Sequence, residues 1–252
     1  MTVPELFTGS RAVIVAIDHP MYMWPTRGLE DRGALISTAV AAGADGFITT
    51  YGTLRDHGDA FGHAKRILKL DLKAMSVGTY QAGDHVVCWT LEDARRVGAD
   101  AVLTFIQVGC PDELPALAQA ARIAAACDAE GVPYVCEIMP IETASYPDAF
   151  DPDAIAACAR AAAELGAHMV KTSIPSPPEG ISLAVQCGLP IFLAGGDPQP
   201  TEQAFLDQVQ AGIDAGAQGV AVGRNVWGGH DPAAMVRRLS QIVHGDRVIT
   251  TA

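Results

Sequence analysis

The stretch ELGAHMVKTS, residues 164–173, ends one kind of structure and begins another. An alanine-rich run stops at Gly166, and an apolar run opens directly after it. Glycine accepts the left-handed backbone that closes a helix, and a β-branched or apolar segment then reads as a strand. The same punctuation recurs as GADG at Gly43, GADA at Gly98 and GAQG at Gly216. Four copies make strand–helix alternation the organising pattern of the chain.

Working outward from these copies gives eight candidate strands, at 12–18, 46–50, 67–72, 101–107, 134–138, 168–172, 191–194 and 219–223. Most are continuous apolar runs, as expected of parallel strands covered on both faces. The clearest helical stretches between them are 31–42, 90–97, 112–130, 152–165, 201–215 and 231–243. Asp151-Pro152 and Asp231-Pro232 fit helix starts, because proline's missing N–H is no loss in a first turn. Eight strand–helix units in 252 residues predict a closed (β/α)8 TIM barrel as a single domain over 1–252. An open sheet would leave two edges to protect. The segment 73–88 has no clean periodicity and reads as an elaborated loop after the third strand.

Composition narrows the function. A hydrophobic content of 49% supports a sizeable core, while a formal charge of −12 leaves no basic footprint for a nucleic acid. No signal peptide or membrane-length apolar run is evident. The six cysteines are scattered without a C-x-x-C pair, as expected of free thiols in a reducing cytoplasm. The seven histidines lack ligand spacing, so neither a metal nor another cofactor is expected.

Active sites of this architecture form at the C-terminal ends of the strands. Asp18 and His19 fall there in the first strand and Glu137 in the fifth. Lys171 falls there in the sixth, Gly195 and Gly196 after the seventh, and Gly223 and Arg224 at the eighth. Lys171 is also the only lysine after Lys73. In an apolar run it reads either as an ammonium paired with a carboxylate or as an amine freed to attack a carbonyl. Desolvation or a neighbouring cation would favour the amine, and arginine could not replace it. The expectation is an uncharged, reachable amine, with pairing to a carboxylate as the contrary outcome. The glycine loops and Arg224 are expected to hold a phosphate group through backbone N–H groups and a charged fork. Lys69 is either a second cation of the site or the partner of Asp71, and the pairing is preferred.

The ordered set AIDHP, RGLED, GADG, GADAVL, AAELGAHMVKTS, LAGGD and GVAVGRNVW resembles the DhnA-type (archaeal-type) class I fructose-bisphosphate aldolases, within the DeoC/FbaB class I aldolase superfamily. The likeness runs from about Arg11 to His244. It implies a Schiff base on Lys171, phosphate held by Gly195, Gly196, Gly223 and Arg224, and substrate contacts from Asp18. The implied reaction makes or breaks a carbon–carbon bond in a phosphorylated ketose or keto acid, with dihydroxyacetone phosphate as a candidate for one half. Pentamers or decamers are common in the resembled family, so a homo-oligomer is expected. Heptulosonate synthesis, autoinducer-2-type thiolysis and a silent phosphosugar-binding barrel are the alternatives. The chain departs from the family where it reads MPIE (139–142) in place of Y-P-R-G, which removes a proton-donating tyrosine. Glu137, Glu142, Tyr146 and His19 are the candidates to replace it. Tyr146 is chemically the nearest substitute.

Overall fold

A computed structural model of the chain describes residues 5–7, 11–75, 85–197 and 199–245. The strands in chain order are β1 (Ala12–Ala16), β2 (Gly46–Thr49), β3 (Lys65–Lys69), β4 (Asp71–Lys73), β5 (His85–Val87), β6 (Ala101–Val108), β7 (Tyr134–Pro140), β8 (Met169–Ser173), β9 (Ile191–Ala194) and β10 (Gly219–Val222). The helices are α1 (Arg32–Ala41), α2 (Tyr51–His57), α3 (Leu91–Arg96), α4 (Glu113–Glu130), α5 (Pro152–Glu164), α6 (Ile181–Val185), α7 (Glu202–Asp214), α8 (Arg224–Trp227) and α9 (Pro232–His244). Eight strands close a parallel barrel in the order β1-β10-β9-β8-β7-β6-β3-β2, while β4 and β5 form a separate antiparallel pair.

The recurring glycine signature builds this barrel with all three of its first residues. Gly43, Gly98, Gly166 and Gly216 have φ of 102°, 68°, 91° and 111°. The following alanine N–H reaches back five residues, as from Ala44 to Ala39 O and from Ala167 to Ala162 O, closing a Schellman-type helix end. The third residue then accepts from the backbone N–H of an earlier strand. Asp45 takes Val13, Asp100 takes Arg66, His168 takes Tyr134 and Gln218 takes Ile191. Each copy therefore ends a helix and pins the coming strand to its neighbour in the ring.

Inward-facing side chains alternate along the strands. Ile14, Ile67, Leu103, Val135, Met169 and Phe192 are buried in one cluster that fills the barrel interior. The cross-strand register aligns Phe105 with Glu137, Glu137 with Lys171 and Lys171 with Phe192. Glu137 and Lys171 follow Val135 and Met169 by two residues, so they continue the inward face one layer closer to the C-terminal mouth. That position explains a lysine inside an apolar run.

Several sequence boundaries change. The third candidate strand, 67–72, divides at Leu70. Its N–H still bonds Leu103 O in the barrel, but its own carbonyl accepts from Cys88 and Trp89. Beyond that point Asp71–Lys73 leaves the ring to pair with β5. The predicted loop at 73–88 thus contributes one strand of a hairpin, and its part at 76–84 lies outside the described residues. Helices α2, α6 and α8 are additions, each too short to show apolar periodicity.

Candidate active site

A cavity of about 630 Å³ opens at the C-terminal end of the barrel. His19, Lys69, Glu137, Lys171, Gly195, Gly196, Gly223 and Arg224, expected from the sequence as site residues, all line it. Asp18 does not line it; it is buried beside His19, with Oδ1 3.5 Å from Nδ1 and no hydrogen bond to that oxygen. Tyr146 and Glu142 are corrected outright. Thr143 N donates to Tyr146 O and Tyr146 N to Thr143 Oγ1, a local turn that leaves both side chains exposed and off the cavity.

Lys171 Nζ lies 2.7 Å from Glu137 Oε1, with both residues more than nine-tenths buried. This corrects the expectation of an amine without a carboxylate partner. The pair does line the cavity, so it faces the mouth of the barrel and not its closed interior. Lys69 has a different partner. Its Nζ is 2.7 Å from Asp71 Oδ1, while Asp71 Oδ2 accepts from Phe105 N at 2.6 Å. Burial lowers the Lys69 pKa, but Asp71, Glu137 and Asp18 together raise it above the ordinary lysine value. Lys69 is a fixed cation of the cavity wall.

Burial likewise lowers His19, more than Asp18 raises it, and the imidazole is neutral at pH 7. Burial pushes the Asp18 carboxyl up, yet His19, Lys69 and Lys171 outweigh it and leave it below its usual range. Burial pushes the thiols of Cys127, Cys136 and Cys158 up to about 12, so they are inert at neutral pH. Among the described residues no cluster of His, Cys, Asp and Glu could hold a metal ion, and no helix is long and apolar enough to cross a membrane.

The glycine loops have two separable reasons for being glycine. A Cβ on Gly223 would stand 2.5 Å from His19 Cε1 and 2.7 Å from Ala16 O, and one on Gly195 would stand 2.8 Å from Asn225 Nδ2. Asn225 Nδ2 donates to Gly195 O, tying the loop after β9 to α8. Packing against backbone therefore demands glycine at Gly223, while at Gly195 a side chain would displace the Asn225 amide that ties the loop. Gly196 differs: its φ is 62° and the space where a Cβ would point is open within 4 Å. Arg224 pairs with Asp197, a mostly exposed carboxylate beside the same loop.

Sequence reasoning missed Tyr22. Its backbone N–H bonds His19 O in a short 3-10 turn, His19–Met21, and its ring lies 5.6 Å from the His19 ring. It lines the cavity with Lys171 and Glu137. The loop DHPMYMWPT has no periodicity from which its direction could have been read.

Comparisons with known proteins agree with this fold. The DeoC/LacD family aldolase model matches residues 12–229. A 2-amino-3,7-dideoxy-D-threo-hept-6-ulosonate synthase from Halobacterium salinarum is 34% identical, over 96% of this chain and 90% of its own. A class 1 fructose-bisphosphate aldolase from Thermoproteus tenax is 31% identical, over 94% and 91% respectively. A solved Schiff base forming fructose-1,6-bisphosphate aldolase superimposes with a TM-score of 0.85 at 30% identity, covering 95% of this chain and 97% of that one.

Proposed function

The chain belongs to the DeoC/LacD aldolase family, a lyase of the class I Schiff-base type, and we propose that Lys171 carries the imine and that a phosphorylated ketose or keto acid is the substrate. The observation that carries this reading is the Lys171–Glu137 pair facing the cavity at 2.7 Å. Glu137 takes a proton from Lys171, and the freed nitrogen attacks the substrate carbonyl. Glu137 then returns that proton to the departing hydroxyl as water is lost. The resulting iminium draws the electron pair of the neighbouring carbon–carbon bond toward nitrogen, releasing an aldehyde. Asp18, held below its usual range by His19, Lys69 and Lys171, supplies polarity with His19 beneath the substrate's hydroxyl groups.

Gly196 and Arg224 are the strongest phosphate contacts in this reading, because both face open cavity, with Gly195 and Gly223 shaping the loops between them. The names of the relatives cover both a bisphosphate and an ulosonate, so the second half of the substrate is either a sugar phosphate or a carboxylated aldehyde. The same reading includes a homo-oligomer working in the cytoplasm. A panel of phosphorylated ketoses and keto acids, assayed for aldehyde release, tests it. Wild type is expected to turn over at least one, with Lys171→Arg slower by about 10³-fold or more through loss of the nucleophile. Equal rates for the two proteins would reject the role of Lys171.

A further inference from the structure

The chemistry proposed for Lys171 leaves one proton unassigned. When the carbon–carbon bond forms, the aldehyde oxygen becomes an alkoxide and needs a donor on its own side of the cavity. Glu137 is occupied at the amine, Lys69 is bound to Asp71, and Asp18 is ionised. We propose that Tyr22 is the catalytic acid–base residue for that oxygen, a role supplied from the loop after β1 and not from the strand carrying Glu137.

Three observations support it, and the inference rests on the Lys171 reading above. First, among the described residues that line the cavity, Tyr22 is the only one with a phenol. Tyr146 is 40% exposed elsewhere, and Tyr51 is stacked on Trp89 at 4.5 Å. Second, the ring is held. Met21, Tyr22 and Met23 donate to Asp18 O, His19 O and His19 O at 3.1, 3.0 and 2.8 Å, and Pro20 stiffens the turn. The Tyr22 ring rests on His19, His19 meets Trp227 edge-on at 5.2 Å, and the Trp227 indole N–H is fixed to Ala16 O at 3.0 Å. Third, burial together with the negative charges of Asp18 and Glu137 raises the phenol well above its usual value, so the group stands ready as a proton donor.

The donor substrate, bound as an iminium on Lys171, loses a proton from its α-carbon to Glu137 and becomes an enamine. The enamine carbon bonds to the aldehyde carbon, the carbonyl π pair moves to oxygen, and that oxygen takes the Tyr22 proton. Glu137 gives its proton up to solvent and the phenolate takes one back from solvent, and water releases the product from the regenerated iminium. Cleavage is the same sequence reversed.

The test uses wild type and Tyr22→Phe, which keeps the ring and removes only the hydroxyl. Dihydroxyacetone phosphate is the donor and glyceraldehyde 3-phosphate the aldehyde. Three quantities are read: kcat for condensation, borohydride trapping of the donor, and exchange of its α-hydrogen with deuterium oxide. The expected result is a kcat lower by about 10²-fold or more, with trapping and exchange within a few-fold of wild type. Trapping by the variant also confirms that it folds. Wild-type kcat in the variant, or trapping and exchange that fall in step with kcat, would overturn the role of Tyr22 while leaving Lys171 standing. Wild type that condenses the two substrates yet traps no donor would overturn both.

Discussion

Two buried lysines point into this barrel, and their partners separate their work. Lys69 meets Asp71 two residues along its own chain, and Lys171 meets Glu137 across the β7–β8 register. Asp71 is also spent on Phe105 N, so the Lys69 pair is structural as well as electrostatic. Replacing Lys69 by Met would leave Asp71 buried and unpaired, at a cost of about 3–5 kcal/mol. Urea unfolding measures it, and a loss below about 1 kcal/mol would show the pair to be dispensable. The pH dependence has a definite sign. The folded-state pKa of Lys69 is raised, so its contribution is complete below 10.5 and fades as pH climbs through the higher folded value. Wild type should therefore lose stability through that alkaline window, and Lys69→Met should lose less over the same range.

At the scale of elements, the glycine signature was legible in the sequence because a helix end, a turn and a strand start follow one another in four letters. What the letters did not disclose was the use of Asp45, Asp100, His168 and Gln218 as pins on neighbouring strands, since that requires partners about thirty residues away in the chain. The rim loops carry the matching lesson. Gly223 is required by packing against Ala16 O and His19, and Gly195 keeps the Asn225 tie, whatever binds there, so glycine alone was weak evidence for phosphate. Arg224 is the sharper element, and its resting partner Asp197 is 85% exposed at the side chain. Such a pair contributes about 0–1 kcal/mol, so a phosphate dianion can displace it. Arg224→Gln should raise KM for a phosphorylated substrate by about 10-fold or more, whereas Asp197→Asn should change it by no more than about 5-fold. Steady-state kinetics on both variants decides, and the reverse order would move the phosphate away from Arg224.

For the whole molecule, a chain of net charge −12 concentrates Lys69, Lys73, Lys171 and Arg224 around one cavity. The barrel, its closure and most of the site were readable because strand ends are where this architecture collects polar groups. Tyr146 was misread and Tyr22 overlooked for the same physical reason: both sit in irregular loops, where no period tells which way a side chain turns. The Lys171–Glu137 contact was also out of reach, because it depends on the register of two strands and not on either strand alone. The central claim is that the Lys171 nitrogen, though paired, is released to form a covalent imine inside this cavity. Borohydride reduction in the presence of dihydroxyacetone phosphate, followed by peptide mass spectrometry, tests it directly. The account predicts one reduced adduct, on Lys171, absent from Lys171→Arg; an adduct on Lys69 or Lys73 instead, or none in a protein that turns over its substrate, would contradict it.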